Sequence, residues 1–394
     1  MSSLFIKNAR IIEPKNVIER GHLRIKEGKI VDFGDLLADE NEQIIDAKGS
    51  ILMPGIIDIH TDALDGEIIP RPGADFPIEI AFRELERKMS GCGFTTVYHS
   101  MHLGYRSAEY NSRSKYKRNE VFETIHNASK GNTLINNKIH LRFELTGVEA
   151  YQECLEYIEK GFIQMLSIMD HTPGRGQHTI EWFMKMVMAN GKTEEQALQE
   201  LNERLNRPLI DGDELEKMIN LAKEKGLAVA SHDDHTIEKV DYMIKMGVDI
   251  CEFPITMEVA KYATSLGQFV IGGASNILRG GSLTGNLNMT DAVLEGAIDS
   301  LCSDYYPSAI IHSIFKLHQK YGLGLSEAVN LATLNPAKAV GIDSDTGSIE
   351  IGKDADLIIV KLIDGLPMVT HTIVKGKIAV QTPQEITYNE LSYA

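Results

Sequence analysis

The regular alternation of short apolar runs with amphipathic stretches is the feature that most limits how this chain can fold. Between Ile51 and Gly341, apolar runs alternate with stretches such as IEIAFRELERKM and DELEKMINLAKEKG, whose apolar residues recur at helical spacing. The eight strand candidates are ILMPGIIDI, FTTVYHS, IHLRFEL, IQMLSIM, LAVAS, VDICEF, QFVIGG and IDSLCS. Eight strand–helix units predict a (β/α)₈ barrel of the TIM type, an α/β fold. An open doubly wound sheet is the alternative, but the G-x-G-x-x-G turn that would favour it is absent after the first strand.

The two ends of the chain are rich in strand-like segments rather than in helices. Residues 1–50 contain LFIKNARII and HLRIKEGKIVDFG, and residues 345–394 contain GSIEIGKDADLIIVKLIDG. Turn-forming residues separate these segments, which is typical of short strands. We therefore predict a composite β-sandwich from residues 1–50 and 345–394, attached to a barrel domain that spans residues 51–344.

Charge and cysteine content limit the classes of partner. A formal net charge of -16 over 394 residues leaves no broad basic face, which argues against binding to nucleic acid or to an anionic membrane. No segment reaches the length of a transmembrane helix. The four cysteines are scattered and form no C-x-x-C pair, as expected for reduced thiols. These observations predict a cytoplasmic protein with a small-molecule partner and leave its oligomeric state open.

Residues of metal-ligand type follow nearly every strand candidate. In a (β/α)₈ barrel, the residues at the carboxyl ends of the strands point into the active site. His60 and Asp62 follow the first apolar run, and residues two apart on an extended segment share a face. Sets of histidine and carboxylate suit zinc, with manganese or iron as alternatives. The sequence predicts one or two divalent ions, and the predicted metal ligands are His60, Asp62, Glu144, His171, His232 and Asp304.

Each of these residues also has a structural interpretation. A single histidine or aspartate at a strand end is more often hydrogen-bonded than a ligand, but agreement among several strand ends favours the metal site. For Glu144 the alternative is to hold a histidine or arginine beside the metal. Asp170, Asp233 and Asp234 are predicted to orient the ligands, and the last two could instead cap the next helix. Supporting or exposed positions are assigned to His99, His102 and His235.

Three arginines lie in loops rich in glycine or proline. They are Arg71 in PRPG, Arg175 in PGRG and Arg279 in NILRGGS. Glycine lets backbone N–H groups approach an anion, and arginine adds a charged, two-pronged donor. The alternative is that arginine and glycine are simply common in loops. Three such loops beside a metal site predict that Arg71, Arg175 and Arg279 bind a phosphorylated substrate.

Several segments resemble the amidohydrolase superfamily along essentially the whole chain. They are the β-rich start, PGIIDIHTD, the aspartate of the eighth strand, and NPAKAVG…TGSIEIGKDADLIIV. The resemblance implies a (β/α)₈ barrel with a small β-sandwich from both termini, and one or two divalent ions that activate a water. Many members bridge two metals with a carbamylated lysine, and its absence after IQMLSIM and IHLRFEL makes Glu144 the substitute bridge. The superfamily's other metal positions fall on His60, Asp62, His171, His232 and Asp304.

Six motifs in the same order resemble the diphosphatases of phosphonate degradation within that superfamily. They are HTDALDGEIIPRPG, HLRFEL, SIMDHTPGRGQ, ASHDDHT, NILRGGSLTGN and LCSDYYPSAI. This resemblance implies cleavage of α-D-ribose 1-methylphosphonate 5-triphosphate to the 5-phosphate and pyrophosphate. Asp304 would then be the catalytic base, and the loop arginines would hold phosphate oxygens.

Departures from that pattern keep two other functions open. The residues after Asp62, His99 at the second strand, and Ser275 and Leu283 in the glycine-rich loop all differ from it. One alternative is hydrolysis of a C–N bond in a cyclic amide or an amino-heterocycle. The other is a non-catalytic metal-binding barrel, against which stands Asp304, a carboxylate placed to serve as a base.

Overall fold

The two termini together build one mostly antiparallel sheet. The computed structural model describes residues 3–71, 73–104, 117–177, 179–282 and 285–382. Its strands are β1 (Ser3–Ile12), β2 (Val17–Lys26), β3 (Lys29–Gly34), β4 (Gln43–Asp46), β5 (Ile51–Pro54), β14 (Leu357–Ile363), β15 (Leu366–Val374) and β16 (Lys377–Gln381). The order in the sheet is β16-β15-β14-β5-β1-β2-β3, and β4 pairs with β1.

The remaining eight strands form a parallel sheet in chain order, β6 to β13. They are β6 (Ile56–Thr61), β7 (Phe94–Leu103), β8 (Asn136–Glu144), β9 (Met165–Met169), β10 (Ala228–His232), β11 (Ile250–Glu252), β12 (Phe269–Gly273) and β13 (Ser300–Cys302). The last strand returns to the first: Asp62 N donates to Asp304 O (2.7 Å) and Asp304 N donates to His60 O (3.1 Å). The predicted fold class is confirmed: a (β/α)₈ barrel with a small β domain from both termini.

Helices cover the outside of the barrel and fill its connections. Thr236 and Thr256 cap the helices after β10 and β11, because their side-chain oxygens accept from the backbone N–H three residues on. No helix among the described residues is both long and apolar enough to cross a membrane. The α-helices are Ala63–Ile68, Ile78–Gly91, Arg118–Ser129, Tyr151–Glu159, Ile180–Ala189, Glu194–Leu205, Gly212–Glu224, Ile237–Lys245, Met257–Ser265, Ala274–Arg279, Met289–Leu294, Ala309–Tyr321, Leu325–Asn330 and Leu334–Ala339.

The first apolar run is divided between the two sheets. The sequence predicts one strand over ILMPGIIDI, whereas the structure ends β5 at Pro54 and begins β6 at Ile56. Gly55 lies between them, and a Cβ there would meet the Thr95 side chain at 2.1 Å. Only glycine allows the backbone to pass this close to β7. The predicted domain boundary at residue 51 therefore precedes a strand that pairs in the terminal sheet.

The interior of the barrel is apolar at one end. Ile57, Ile250 and Ile271 are fully buried there, and they share a cluster with Ala337 from the helix Leu334–Ala339. This helix contacts β6 and β13, the strands that close the barrel. We call this end the base and the opposite end, at the carboxyl ends of the strands, the mouth. The base supports the strands that present polar residues at the mouth.

Candidate metal centre

A cavity of about 280 Å³ opens at the mouth of the barrel. Its lining combines imidazole, carboxylate and guanidinium groups with a few apolar side chains, among them Phe253 and Leu287. Because it lies at the carboxyl ends of the strands, it occupies the position of the active site in barrels of this kind. The charged and imidazole residues that line it are His60, Asp62, Arg142, His171, His232, Asp233, Arg279 and Asp304.

The fully buried carboxylate of Glu252 holds two of these histidines. Its oxygens lie 2.7 Å from His60 Nδ1 and 2.9 Å from His232 Nδ1. Burial acts to raise the pKa of Glu252, but the surrounding imidazoles keep it well below its usual range. An ionised carboxylate only accepts, so both Nδ1 atoms carry the proton. The Nε2 atom of each ring is therefore left with its lone pair toward the cavity.

Glu144 holds the third histidine in the same way. One oxygen lies 2.6 Å from His171 Nδ1, and the other accepts from His171 N at 2.9 Å. His102 Nε2 lies 3.9 Å from the same carboxylate. Both oxygens thus engage His171, and the role of Glu144 as a bridge between two metals stays a prediction. Carboxylates that fix the Nδ1 side of a histidine are typical of metal sites.

Two sets of side chains at the mouth could each hold a metal ion. In each set, one ligand atom from every member lies within 4.8 Å of the others. Burial acts to lower the pKa of His60, yet Glu252 raises it above the ordinary value. Surroundings that favour a proton on a buried imidazole also favour a cation. The first set is His60, Asp62 and Asp304, and the second set is His171, His232 and Asp233.

Arg142 lies between these two sets. Its Nη1 donates to both oxygens of Asp62 (2.9 and 3.0 Å), and its Nη2 lies 3.2 Å from His232 Nε2. Burial acts to raise the pKa of Asp62, but Arg142 and the nearby imidazoles lower it. The guanidinium thus keeps Asp62 ionised and contacts one member of each set.

Asp304 joins the centre through an unusual backbone conformation. Its φ of 58° lies in the left-handed region, and its backbone N and O both pair with β6. Aspartate tolerates this conformation better than most residues. Burial raises the pKa of the Asp304 carboxyl, and the charge of Asp62 adds to the effect. A carboxylate with a raised pKa accepts a proton more readily, as a general base must.

The other predicted carboxylates lie beside the centre in different ways. Asp170 shapes its own loop, because it accepts from Thr172 N and pairs with Arg175 at 3.3 Å. Asp234 is buried and pairs with Lys239 at 3.0 Å, and Lys239 in turn donates to the carbonyl of His232. Asp233 has a φ of 54° and faces the cavity. The cap of the next helix is Thr236, so the alternative that Asp233 or Asp234 caps it is wrong.

Of the three predicted arginines, Arg279 lines the cavity and contacts the Tyr305 hydroxyl at 3.4 Å. Arg71 and Arg175 are exposed and do not form part of the lining that the described residues provide. Ser275 also lines the cavity, whereas Leu283 and Pro72 lie outside the described residues. Substrate binding by these arginines stays a prediction.

The remaining histidines support neighbouring elements. His99 is buried and pairs with Asn137 at 2.9 Å, against the ring of Phe82 on the outer helix. His102 stacks on His171 at 6.2 Å. His235 Nδ1 accepts from Gly176 N at 3.2 Å and so joins the loops after β9 and β10.

Three residues of the centre were missed by reasoning from strand ends. They are His140, Arg142 and Glu252. His140 and Arg142 belong to HLRFEL, in which alternate residues with Glu144 share one face, so the period of two was a usable signal. His140 is fully buried edge-on to His60 (5.3 Å between centroids), and burial lowers its pKa to about 3. Glu252 is the last residue of β11, in the run VDICEF, where a charged residue in a buried strand was the signal.

The sequence is similar to those of known proteins along nearly its whole length. The model of the amidohydrolase family matches residues 206–379. Over 389 residues the chain is 30% identical to alpha-D-ribose 1-methylphosphonate 5-triphosphate diphosphatase of Escherichia coli (strain K12), covering 95% of this chain and 99% of that enzyme. The chain belongs to the amidohydrolase superfamily. The predicted family is confirmed.

This amidohydrolase also resembles enzymes with other substrates. It is 26% identical over 409 residues to allantoinase of Bacillus licheniformis, covering 90% of this chain and 86% of that enzyme. A solved Xaa-Pro dipeptidase with bound methionine matches its fold with a TM-score of 0.64 at 18% identity, covering 96% of this chain and 99% of that one. The likeness of structure supports the fold, and the family makes the protein a hydrolase.

Proposed function

We propose that this amidohydrolase is a diphosphatase that cleaves α-D-ribose 1-methylphosphonate 5-triphosphate to the 5-phosphate and pyrophosphate. The observation that carries the proposal is the presence of two guanidinium groups, Arg142 and Arg279, in the cavity that contains both ligand sets. Phosphate oxygens are the groups that arginine recognises best, whereas a neutral cyclic amide needs few such partners. The end-to-end similarity to a diphosphatase points to the same chemistry.

The side chains at the mouth fit a divalent metal ion. Three imidazoles are fixed at Nδ1 by carboxylates, and Asp62, Asp233 and Asp304 add oxygen donors. Nitrogen and carboxylate donors of this kind suit zinc first, then manganese or iron. When bound, a divalent ion lowers the pKa of a coordinated water and withdraws charge from phosphoryl oxygens.

The protein's own groups then manage protons and charge. Asp304, whose pKa is raised by burial, accepts a proton from the attacking water and later donates one to the departing pyrophosphate oxygen. The water oxygen forms a bond to phosphorus as the phosphorus–oxygen bond to pyrophosphate breaks. Arg142 and Arg279 hold phosphoryl oxygens and stabilise the charge that develops on them.

A second candidate function is hydrolysis of a ring C–N bond. The similarity to allantoinase, and to dihydroorotase of Elusimicrobium minutum at 24% identity over 414 residues, favours it. The same ligand sets could serve this chemistry, because a polarised water attacks an amide carbonyl as well as phosphorus. The two candidates therefore differ in substrate rather than in the centre.

The test is a substrate panel with the metal-loaded protein. Pyrophosphate release is measured from α-D-ribose 1-methylphosphonate 5-triphosphate, with ring opening of allantoin, dihydroorotate and hydantoin measured alongside. The proposal expects pyrophosphate release that stops when a chelator removes the metal, and no ring opening. Ring opening without pyrophosphate release would replace the proposal with the second candidate.

A further inference from the structure

The position of Arg142 decides how many metal ions the centre can hold. Its guanidinium contacts both oxygens of Asp62, a member of the first ligand set, and Nε2 of His232, a member of the second set. The two sets therefore share one organic cation. The inference below rests on the metal-dependent function proposed above.

The two contacts differ in what they leave available for a metal. Each carboxylate oxygen of Asp62 has two lone pairs, so it can accept from Arg142 and still bind an ion. His232 has a single remaining lone pair, because its Nδ1 already donates to Glu252. While Nη2 of Arg142 occupies that lone pair, His232 cannot be a ligand. The second set is then reduced to His171 and Asp233.

The surroundings of Arg142 keep its side chain in this position. Arg142 is only 8% exposed, and its guanidinium is always charged. Nη1 contacts both oxygens of Asp62 and Nη2 contacts His232, so the guanidinium is held at two of its nitrogens, and β8 carries it on the inward face of the barrel. Leaving this position would place a buried charge without its partner, which is costly.

The other groups of potential ligands do not offer a replacement for the second set. In the group of His60, His140 and Glu252, Nδ1 of His60 donates its proton to Glu252, so this nitrogen has no lone pair for an ion. In the group of His102, Glu144 and His171, Nδ1 of His171 donates its proton to Glu144, so this nitrogen has no lone pair for an ion. In the set of His60, Asp62 and Asp304, by contrast, Nε2 of His60 and a lone pair on each carboxylate oxygen remain available for an ion.

We infer that Arg142 acts as a built-in cation that restricts the centre to one divalent ion, held by His60, Asp62 and Asp304. Arg142 occupies the place beside this ion and contributes a fixed positive charge in place of a second metal. Removing the guanidinium frees Nε2 of His232 and so restores the second set.

The experiment compares metal stoichiometry in the full-length wild type and in Arg142→Met. Methionine has a similar length but neither charge nor N–H donors. Both proteins are stripped with a chelator, loaded with Mn²⁺, freed of excess by gel filtration and measured by mass spectrometry of the metal. We expect one equivalent in the wild type and two in Arg142→Met. Two equivalents in the wild type, or one in both proteins, would overturn the role of Arg142.

A matched control comes from the terminal sheet. Arg24 contacts both oxygens of Glu42, through Nε at 2.8 Å and Nη2 at 3.1 Å. Arg24→Met removes an arginine–carboxylate pair far from the mouth and should bind one equivalent. A second equivalent there would show that the added site has nothing to do with Arg142.

Electron paramagnetic resonance of the wild type keeps the inference testable if Arg142→Met does not fold. A single Mn²⁺ ion gives an isolated six-line signal, whereas two ions in the neighbouring sets give a spectrum broadened and split by coupling between their spins. The isolated signal is expected, and a coupled spectrum would overturn the inference. Absence of any bound ion would overturn both this inference and the metal-dependent function, whereas two ions would leave that function standing.

Discussion

At the base of the barrel the inward side chains are apolar, whereas at the mouth they are imidazole, carboxylate and guanidinium groups. The change occurs within single strands. In β10, Ala230 belongs to the apolar cluster and His232 to the centre, and in β11 Ile250 and Glu252 are related in the same way. Residues two apart on a strand share a face, so each of these two strands contributes one side chain to the apolar base and the next to the centre.

The strained backbone conformations lie at the mouth of the barrel rather than at its base. Asp233, Phe253 and Asp304 all have φ between 54° and 58°, and all directly follow the last residues of barrel strands or lie one residue beyond. Such conformations are unfavourable for residues other than glycine and persist only where the surroundings enforce them. The apolar base supplies that enforcement, because it fixes the strands on which the mouth is built. Three substitutions test this division of roles, and a fourth tests a buried carboxylate between the terminal sheet and the barrel.

The largest effect is expected for Asp304→Asn at the mouth. Asparagine tolerates the left-handed backbone and has the same size, but it cannot accept a proton. We expect turnover to fall by about 10²- to 10⁴-fold, the usual contribution of a general base, while one equivalent of metal stays bound. Steady-state kinetics and metal analysis on the same sample measure this. Near-normal turnover would remove Asp304 from its assigned role.

At the base, Ile250→Ala should affect stability alone. The side chain is fully buried, and its truncation leaves a cavity that the surrounding strands cannot fill completely. We expect the free energy of unfolding to fall by about 2–5 kcal/mol, measured by denaturant titration, with turnover at the wild-type value. If turnover fell sharply while stability stayed high, the base and the mouth would not be separable.

Asp356, where the terminal sheet meets the barrel, should make stability depend on pH. Burial raises the pKa of its carboxyl to about 6, above the ordinary value of 3.8. A raised pKa in the folded state means that this stabilising contribution is complete below the unfolded value and is lost as the pH rises through about 6. Between pH 4 and pH 7, the wild type should lose up to about 3 kcal/mol of unfolding free energy relative to Asp356→Asn.

Denaturant titrations at both pH values measure this difference. Asp356 accepts from Lys375 N at 2.7 Å and from Asn136 Nδ2 at 3.2 Å, so the variant changes stability at every pH. The diagnostic quantity is therefore the slope of the unfolding free energy against pH. Asp364→Asn, in an exposed turn, is the matched control and should leave the slope unchanged. Equal slopes in the wild type and Asp356→Asn would contradict the assignment.

The smallest effect is expected for Glu252→Gln, two residues beyond Ile250. A carboxylate accepts from both His60 and His232, but an amide has one accepting oxygen and presents N–H to the other ring. Where the amide N–H faces His60, the ring must carry its proton on Nε2 and cannot be a ligand. We expect metal affinity to fall by about 10- to 100-fold in calorimetric titration. Unchanged affinity would mean that Glu252 does not orient the ligands.

The contrast between base and mouth also shows how far the sequence could be read. The alternation of apolar runs predicts the barrel. The expectation that residues at the carboxyl ends of the strands face the active site identifies five residues that line the cavity: His60, Asp62, His171, His232 and Asp304. These predictions succeed because strand order and strand direction determine where the ends meet.

The sequence does not predict which individual atoms contact one another in the folded protein. Glu144 has ligand chemistry, but its two oxygens bind His171, because the loop that follows the neighbouring strand β9 places that residue alongside. Arg142 lies inside a strand rather than at its end, so a rule based on ends overlooks it. The break at Gly55 depends on Thr95 of another strand, a contact between residues distant in the chain. Each of these features depends on tertiary packing.

The central claim is that His60, fixed by Glu252, presents Nε2 to a metal ion at the mouth of the barrel. The most direct measurement is an anomalous-difference map from crystals grown with Zn²⁺ or Mn²⁺, recorded at the metal absorption edge. We predict a peak at about 2.0–2.2 Å from His60 Nε2 and from the carboxylate oxygens of Asp62 and Asp304. A loaded protein whose anomalous peaks all lie away from these atoms would contradict the claim.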